Sequence, residues 1–303
     1  MVVAADLRLT YLELLLLERG LHNMAIVAIS GSNGFIGGHL KERLEKMGHV
    51  VIPIERSLRL SPANLILFHS QYKPEYIFDC AAYGNHYFQT DEDEVVKANV
   101  RGVYNMLQSI RQFKSIKGYF NFSTTSHNLE SGTFYGSTKS SGEYIARAFV
   151  RKYDLPIVNI RPYSVFGERE WEFRFIPTLC KRLKNAQDIT VSRVEHDWIY
   201  IEDFLDGLID VMENVNTLKG FSVGIGTGKR IDNMEIANRL MVCAGIRVDV
   251  KEYQKREYEI ANHETMTQGE KRDDEFKYFN HAKTSLEKAL WNVYTNQRFL
   301  KKK

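Results

Sequence analysis

From residue 25 onward, short apolar runs alternate with stretches in which apolar positions recur at helical spacing. The runs 25–30, 50–54, 76–81, 118–122 and 157–160 read as buried strands, and 37–47, 62–71, 94–114 and 134–153 as the helices between them. A strand–helix–strand rhythm needs crossover connections and so gives a parallel sheet with helices on both faces. The pattern therefore predicts an α/β fold, a doubly wound parallel sheet of the Rossmann-like kind. Between the second strand and Tyr76 only residues 57–60 are left for a further strand, which is expected to be vestigial. After Gly167 the rhythm loosens: 175–184 and 203–213 are expected to be helical, 198–201 extended, and the remainder a charged tail. The organisation expected is an extension at 1–23, a larger domain at 24–166, and a smaller one, mainly 167–303, interleaved with the first and covering the sheet's carboxyl edge.

The chain has 303 residues, 44% of them hydrophobic and 26% charged, which is the composition of a folded globular protein. Its 41 basic and 38 acidic side chains leave a charge of +3, too small a field to recruit nucleic acid or an anionic membrane as partner. Cys80, Cys180 and Cys243 are far apart and form no CxxC, so neither a disulfide framework nor a metal site is expected, and a reducing cytoplasm is the compartment they suit. The apolar run at 14–17 is enclosed by Glu13, Glu18 and Arg19, far short of the roughly 20 residues that a spanning helix needs. With acids at its centre, the segment 1–23 is not read as a signal peptide.

Directly after the first strand stands Gly31-Ser32-Asn33-Gly34-Phe35-Ile36-Gly37-Gly38, opening a helix. Gly31 and Gly34 allow a tight turn and let a pyrophosphate approach backbone amides, Gly37 lets helix and strand pack closely, and the helix N-terminus faces the phosphates. Glu55, at the end of the next strand, is placed to take the two hydroxyls of an adenosine ribose. The adjacent Arg56 favours a 2'-phosphate instead, so the cofactor expected is NAD or NADP, with the end-of-strand carboxylate leaning to NAD. This makes the larger domain a dinucleotide-binding one.

A second constellation is Tyr135-Gly136-Ser137-Thr138-Lys139 at the start of a long helix. Four residues apart, phenol and ammonium share a face, and the ammonium is expected to lower the tyrosine pKa so that it exchanges a proton near neutrality. The hydroxyl run Ser123-Thr124-Thr125-Ser126 leaves the preceding strand, where it can hydrogen-bond the oxygen the tyrosine protonates.

Together with Arg161-Pro162-Tyr163-Ser164-Val165-Phe166-Gly167 and His196-Asp197-Trp198-Ile199-Tyr200, these motifs resemble the extended short-chain dehydrogenase/reductases, the NAD-dependent epimerase/dehydratase family acting on nucleotide-activated sugars. The resemblance runs from about residue 24 to about 214. It implies Tyr135 as general acid/base, Lys139 on the nicotinamide ribose, Thr125 as the catalytic hydroxyl with Ser126 as its substitute, and Asn33, Phe35, Ile36, Ala81, Ala82 and Pro162 beside the cofactor with the glycines. Asn99 matches the family's helix asparagine, an architectural residue. A homodimer through the helices at 94–114 and 134–153 is implied, with Ile145, Ala148 and Phe149 as candidate contacts.

The departures are informative. Ser126-His127 stands where the 4,6-dehydratases have Asp-Glu, which argues against dehydration, and Thr125 lies only ten positions before Tyr135, a shorter interval than the family usually has. His196 replaces an arginine that commonly meets the diphosphate, so Arg174, Arg182 or Arg193 is expected to supply that charge. Tyr83, His86 and His127, at strand ends, together with Ser164, are candidate sugar contacts, and Arg174, Phe175 and Ile176 candidate base contacts. The activity expected is hydride transfer at C4 of a nucleotide sugar, as a 4-keto-sugar reductase or as a 4-epimerase retaining its NAD, the reductase being favoured by the loop Ala81-Ala82-Tyr83-Gly84 and the compact third-strand region. A catalytically silent dinucleotide binder is the reading from another class, and intact Tyr135 and Lys139 argue against it.

Overall fold

The computed structural model describes residues 24–125, 133–253 and 276–296. Seven strands form one sheet in the order β12-β9-β5-β4-β3-β1-β2. These are β1 (Ile26–Ser30), β2 (Val50–Ile54), β3 (Tyr76–Asp79), β4 (Gly118–Phe122), β5 (Ile157–Pro162), β9 (Ser222–Gly226) and β12 (Phe276–Asn280). The pairings of β1 with β2 and β3, of β3 with β4, and of β12 with β9 are parallel, with Ile26 opposite Val50 and Val27 opposite Tyr76. Gly118–Phe122 is buried along its whole length, as an interior parallel strand requires.

The chain divides into two compact units: 1–123, 138–159 and 214–221, and 124–137, 160–213 and 222–303. In the first, helices α1 (Phe35–Lys46), α3 (Pro62–Tyr72) and α5 (Gly102–Ile110) accompany the strands. Its core joins Ala28, Leu65, Ile77, Met106, Leu107, Tyr119 and Phe149. Helix α6 (Phe134–Tyr153) contributes Ala146 and Phe149 to that core. The second unit has a small sheet of β6 (Ser164–Phe166), β8 (Glu195–Tyr200) and β10 (Arg230–Asp232), and a parallel pair of β7 (Ile189–Ser192) with β11 (Val250–Tyr253). It also holds α7 (Phe175–Lys184), α8 (Ile201–Glu213), α10 (Asn233–Ala244) and α11 (Leu286–Asn296), while α9 (Val215–Leu218) belongs to the first unit.

Four expectations need correction. Residues 57–60 form no strand: Arg56–Arg59 is a one-turn helix, α2, whose Arg59 turns inward onto a buried carboxylate. The helix expected at 94–114 starts earlier, as α4 (Glu92–Val96), since Asp91 caps it by accepting from Glu94 N at 3.1 Å; it then passes through a π-type turn, Lys97–Arg101, and ends with α5 at Ile110. The charged tail contains β12 and α11, the latter anchored where Asp203 accepts from Lys283 N, Thr284 N and Thr284 Oγ1. Finally, Phe149 is only 7% exposed and Ile145 packs against the same core, so of the three dimer-contact candidates Ala148 alone faces outward.

Cys80, Cys180 and Cys243 are free. Among the described residues no helix is long and apolar enough to cross a membrane, and no group of three metal-ligating side chains converges. Residues 1–23, Ser126 and His127 lie outside the described residues.

Candidate active site

The turn after β1 is shaped by its glycines. Gly31 sits at φ +70°, and a Cβ there would fall 2.9 Å from Ala81 N; a Cβ on Gly37 would fall 2.3 Å from the Gly31 carbonyl oxygen. Gly34 N donates to Gly31 O at 2.9 Å, closing the turn into α1. No side chain caps α1 and no acidic residue stands in its first turn, so its leading amides are spent on no side chain and no carboxylate opposes an anion. Asn33 is exposed, and Phe35 and Ile36 are partly buried on the first turn. These features fit a pyrophosphate.

Beneath this turn lies a buried polar network. Asp79, at the end of β3, accepts from Ser30 Oγ, from Arg59 Nη2 at 2.8 Å and from Tyr119 Oη at 2.7 Å. Ser30 Oγ in turn accepts from Ala81 N at 3.1 Å, and Arg59 Nη1 donates to Ala98 O at 3.0 Å. Burial opposes the Asp79 charge, yet Arg59 and the Ser30 and Tyr119 bonds hold its carboxyl below the usual carboxylate range. The network thus ties together the residue before Gly31, the strand end at Ala81, and α2, whose cap is Glu55. Sequence reasoning missed it, because nothing local pairs Arg59 with a residue 20 positions away.

Glu55 and Arg56 are exposed at the start of α2. Arg56 does not stand free: it pairs with Glu94, and its guanidinium lies 5.5 Å from the Tyr83 ring centroid. Tyr83 is pinned by Asn99, whose Oδ1 accepts from Tyr83 N at 3.1 Å and whose Nδ2 donates to Tyr83 O at 2.8 Å and to Thr138 Oγ1 at 3.1 Å. His86, stacked on Phe88, donates its backbone N–H to Gln89 Oε1 at 3.2 Å. Ala81 is partly buried and Ala82 exposed.

Thr133 starts α6, its Oγ1 accepting from Gly136 N at 2.9 Å, and the helix carries Tyr135 and Lys139 one turn apart. Lys139 is 3% exposed. Burial pushes its ammonium down to about 8, against the pull of Asp79. A buried cation of this kind is what a ribose hydroxyl pair would satisfy. Burial also pushes the Tyr135 phenol up to about 12, with Arg174 as the cation opposing the rise. The expected lowering by Lys139 is therefore absent: loss of solvent dominates, and the opposing cation is Arg174. Thr124 is buried and Thr125 partly so, while Ser123 Oγ is buried without a partner among the described residues.

In the second unit, Ser164 Oγ and His196 Nδ1 are 3.1 Å apart, and the His196 ring lies 5.0 Å from that of Trp198. Phe175 stacks on Trp198 at 5.7 Å. Arg174 Nε donates to the buried Glu170 at 3.4 Å, and burial raises that carboxyl to about 7. Arg182 is exposed, donating to Asp188 O at 2.8 Å, and Arg193 pairs with Glu252 at 3.4 Å. Ile176 is buried, and Pro162 is partly buried at the end of β5.

Residues 27–226 match the family described as the NAD-dependent epimerase/dehydratase family. The chain belongs to that family. A CDP-abequose synthase of Salmonella muenchen is 25% identical over 232 residues, which cover 69% of this chain and 78% of that protein. Among solved structures, a UDP-glucose 4-epimerase from Thermotoga maritima with UDP-glucose superposes with a TM-score of 0.72 at 17% identity, over 89% of this chain and 98% of that one. The structure of RMD from Pseudomonas aeruginosa complexed with NADPH gives a TM-score of 0.71 at 14% identity, over 90% and 98%. Both share the fold. As an epimerase/dehydratase-family member, the protein is an enzyme of nucleotide-sugar chemistry whose cofactor is NAD or NADP.

The buried Lys139 has a measurable signature. Its folded pKa of about 8 lies below the ordinary 10.5, so between these values the unfolded chain holds a proton that the folded protein has released. Its contribution to stability therefore rises with pH across that window. The stability of the wild type minus that of Lys139→Met, followed by urea unfolding, is expected to climb there. A flat difference would mean the ammonium is not desolvated.

Proposed function

We propose that this protein reduces the C4 ketone of a nucleotide-activated 4-keto sugar. The observation that carries this reading is Tyr135 standing one turn before the buried Lys139 on α6, a phenol and an ammonium on one helix face. Burial pushes that phenol up to about 12, so it holds a proton at neutral pH that it can give to a ketone oxygen. The Salmonella relative, named for synthesis of a CDP-sugar, is consistent with it.

In this reading the Gly31–Gly37 turn and the Asn33, Phe35 and Ile36 backbone hold the pyrophosphate, Glu55 takes the adenosine ribose, Ala81, Ala82 and Pro162 flank the cofactor, and Lys139 binds the nicotinamide ribose. Bound there in reduced form, the nicotinamide supplies the hydride. Tyr135 Oη gives its proton to the C4 oxygen as charge develops on it, and the Thr125 hydroxyl donates a hydrogen bond to the same oxygen. Carbonyl, hydride and proton together make the alcohol, and solvent returns the proton to Tyr135. Arg174 and His196, with Ser164 fixing the imidazole, receive the substrate's diphosphate end, and Phe175 its base. Self-association would use the exposed Tyr104 on α5 and Tyr144 on α6 rather than Phe149.

The test is consumption of cofactor. With a CDP-linked 4-keto-6-deoxyhexose, the protein is expected to oxidise one reduced dinucleotide per sugar reduced, seen as loss of reduced-nicotinamide absorbance. Interconversion of two 4-hydroxy sugars with no net change in cofactor would replace the reductase by the epimerase.

A further inference from the structure

Cofactor choice in this site turns on where Arg56 spends its charge. It is 62% exposed and follows Glu55 directly, the place from which a guanidinium ordinarily meets a 2'-phosphate. Here it is engaged twice, by the Glu94 carboxylate and by the face of Tyr83. Tyr83 is itself held by both backbone bonds to Asn99, so the platform beneath the guanidinium is fixed. Glu94 is fixed as well: its backbone N–H meets the Asp91 cap, and its second oxygen accepts from Lys97 Nζ at 3.0 Å.

The charge around this corner is acidic. Glu55 directly precedes Arg56 in the chain, Arg56 and Lys97 share the Glu94 carboxylate, and Asp91 and Asp93 both act on the Glu94–Lys97 pair. A 2'-phosphate would meet these carboxylates with Arg56 already neutralised, unless it drew Arg56 away from Glu94. A ribose with two free hydroxyls meets no such cost and finds Glu55 as acceptor.

We infer that Glu94, on α4, is a specificity-determining residue: by holding Arg56 against Tyr83 it sets the site for NAD and against NADP. The inference rests on the reading that Glu55 faces the adenosine ribose. Glu94 touches neither the reacting atoms nor the nicotinamide, and it acts through Arg56. An exposed ion pair contributes modestly, so releasing Arg56 should change affinity by about fivefold rather than by orders of magnitude.

Binding of NADH and NADPH to the purified full chain, titrated by the fluorescence of the reduced nicotinamide, tests this without turnover. The wild type is expected to bind NADH more tightly than NADPH, by a margin that narrows at high salt. Glu94→Gln should tighten NADPH about fivefold and leave NADH nearly unchanged. Adding Arg56→Ala to Glu94→Gln should abolish that gain. Unchanged NADPH affinity in Glu94→Gln, an equal gain for both cofactors, or a gain that survives loss of Arg56 would each overturn the inference. Glu55→Ala separates the two levels: weakened NADH with no response to Glu94→Gln removes the role of Glu94 alone, whereas unchanged NADH affinity in Glu55→Ala removes the ribose reading and the inference with it.

Discussion

Replacing Tyr135 by Phe is expected to lower ketone reduction by about a hundred- to ten-thousandfold while leaving dinucleotide affinity nearly intact. That range is the usual contribution of a positioned proton donor. The change deletes one hydroxyl from a partly buried side chain, and Phe keeps its ring. Lys139 and the glycine turn are untouched, so cofactor titration should register almost nothing. Turnover and binding measured on one preparation separate the two effects. Full activity in Tyr135→Phe would move the proton donor elsewhere, and a parallel loss of cofactor affinity would make the tyrosine structural.

The second large effect is on stability. Arg59→Met is expected to destabilise the protein by about 3–5 kcal/mol, the cost of leaving a buried charge without its partner. The side chains of Arg59 and Asp79 are 3% and 0% exposed, so solvent offers the abandoned carboxylate no substitute. Ser30 and Tyr119 would still donate to it, but hydrogen bonds from neutral hydroxyls do not balance a buried charge. Adding Asp79→Asn to Arg59→Met should recover part of the loss, because it removes the charge itself. Urea unfolding of the two single variants and the double variant supplies the cycle. The deficit should persist at high salt, in contrast to the exposed Arg56–Glu94 pair. A loss below about 1 kcal/mol in Arg59→Met would place the pair in the class of solvent-screened bridges.

The contrast between these two arginines shows what the sequence carries and what it does not. The extents of β2, β4, α6 and α7 match their apolar periodicity, because each is decided locally: by a run of apolar residues, a capping Thr133, or a glycine turn. The cradle after β1 was equally legible, since close approach leaves glycine as the residue that fits at Gly31 and Gly37. By contrast, Arg56 and Arg59 look alike along the chain, both basic and both within five residues of the end of β2. Their difference comes from partners 38 and 20 residues away. The same holds for Phe149, whose place on a helix face is periodic but whose burial depends on which other helices cover it. Strand β9, with two glycines in SVGIG, lacks the β-branched density that marks a strand locally, and its pairing with β12 joins segments about 50 residues apart. Tyr135 teaches the same lesson about chemistry: the spacing to Lys139 predicts a lowered pKa, but desolvation, which no spacing reveals, raises it instead.

The most direct test of the account follows the hydrogen itself. Reduced cofactor carrying deuterium at the transferring position, incubated with the enzyme and a CDP-linked 4-keto-6-deoxyhexose, is expected to leave one deuterium on C4 of the sugar per turnover, and Tyr135→Phe should slow that transfer in proportion to its loss of activity. Product whose C4 carries no label, or label retained by the cofactor while sugar is converted, would contradict hydride delivery to C4 and with it the function assigned to this site.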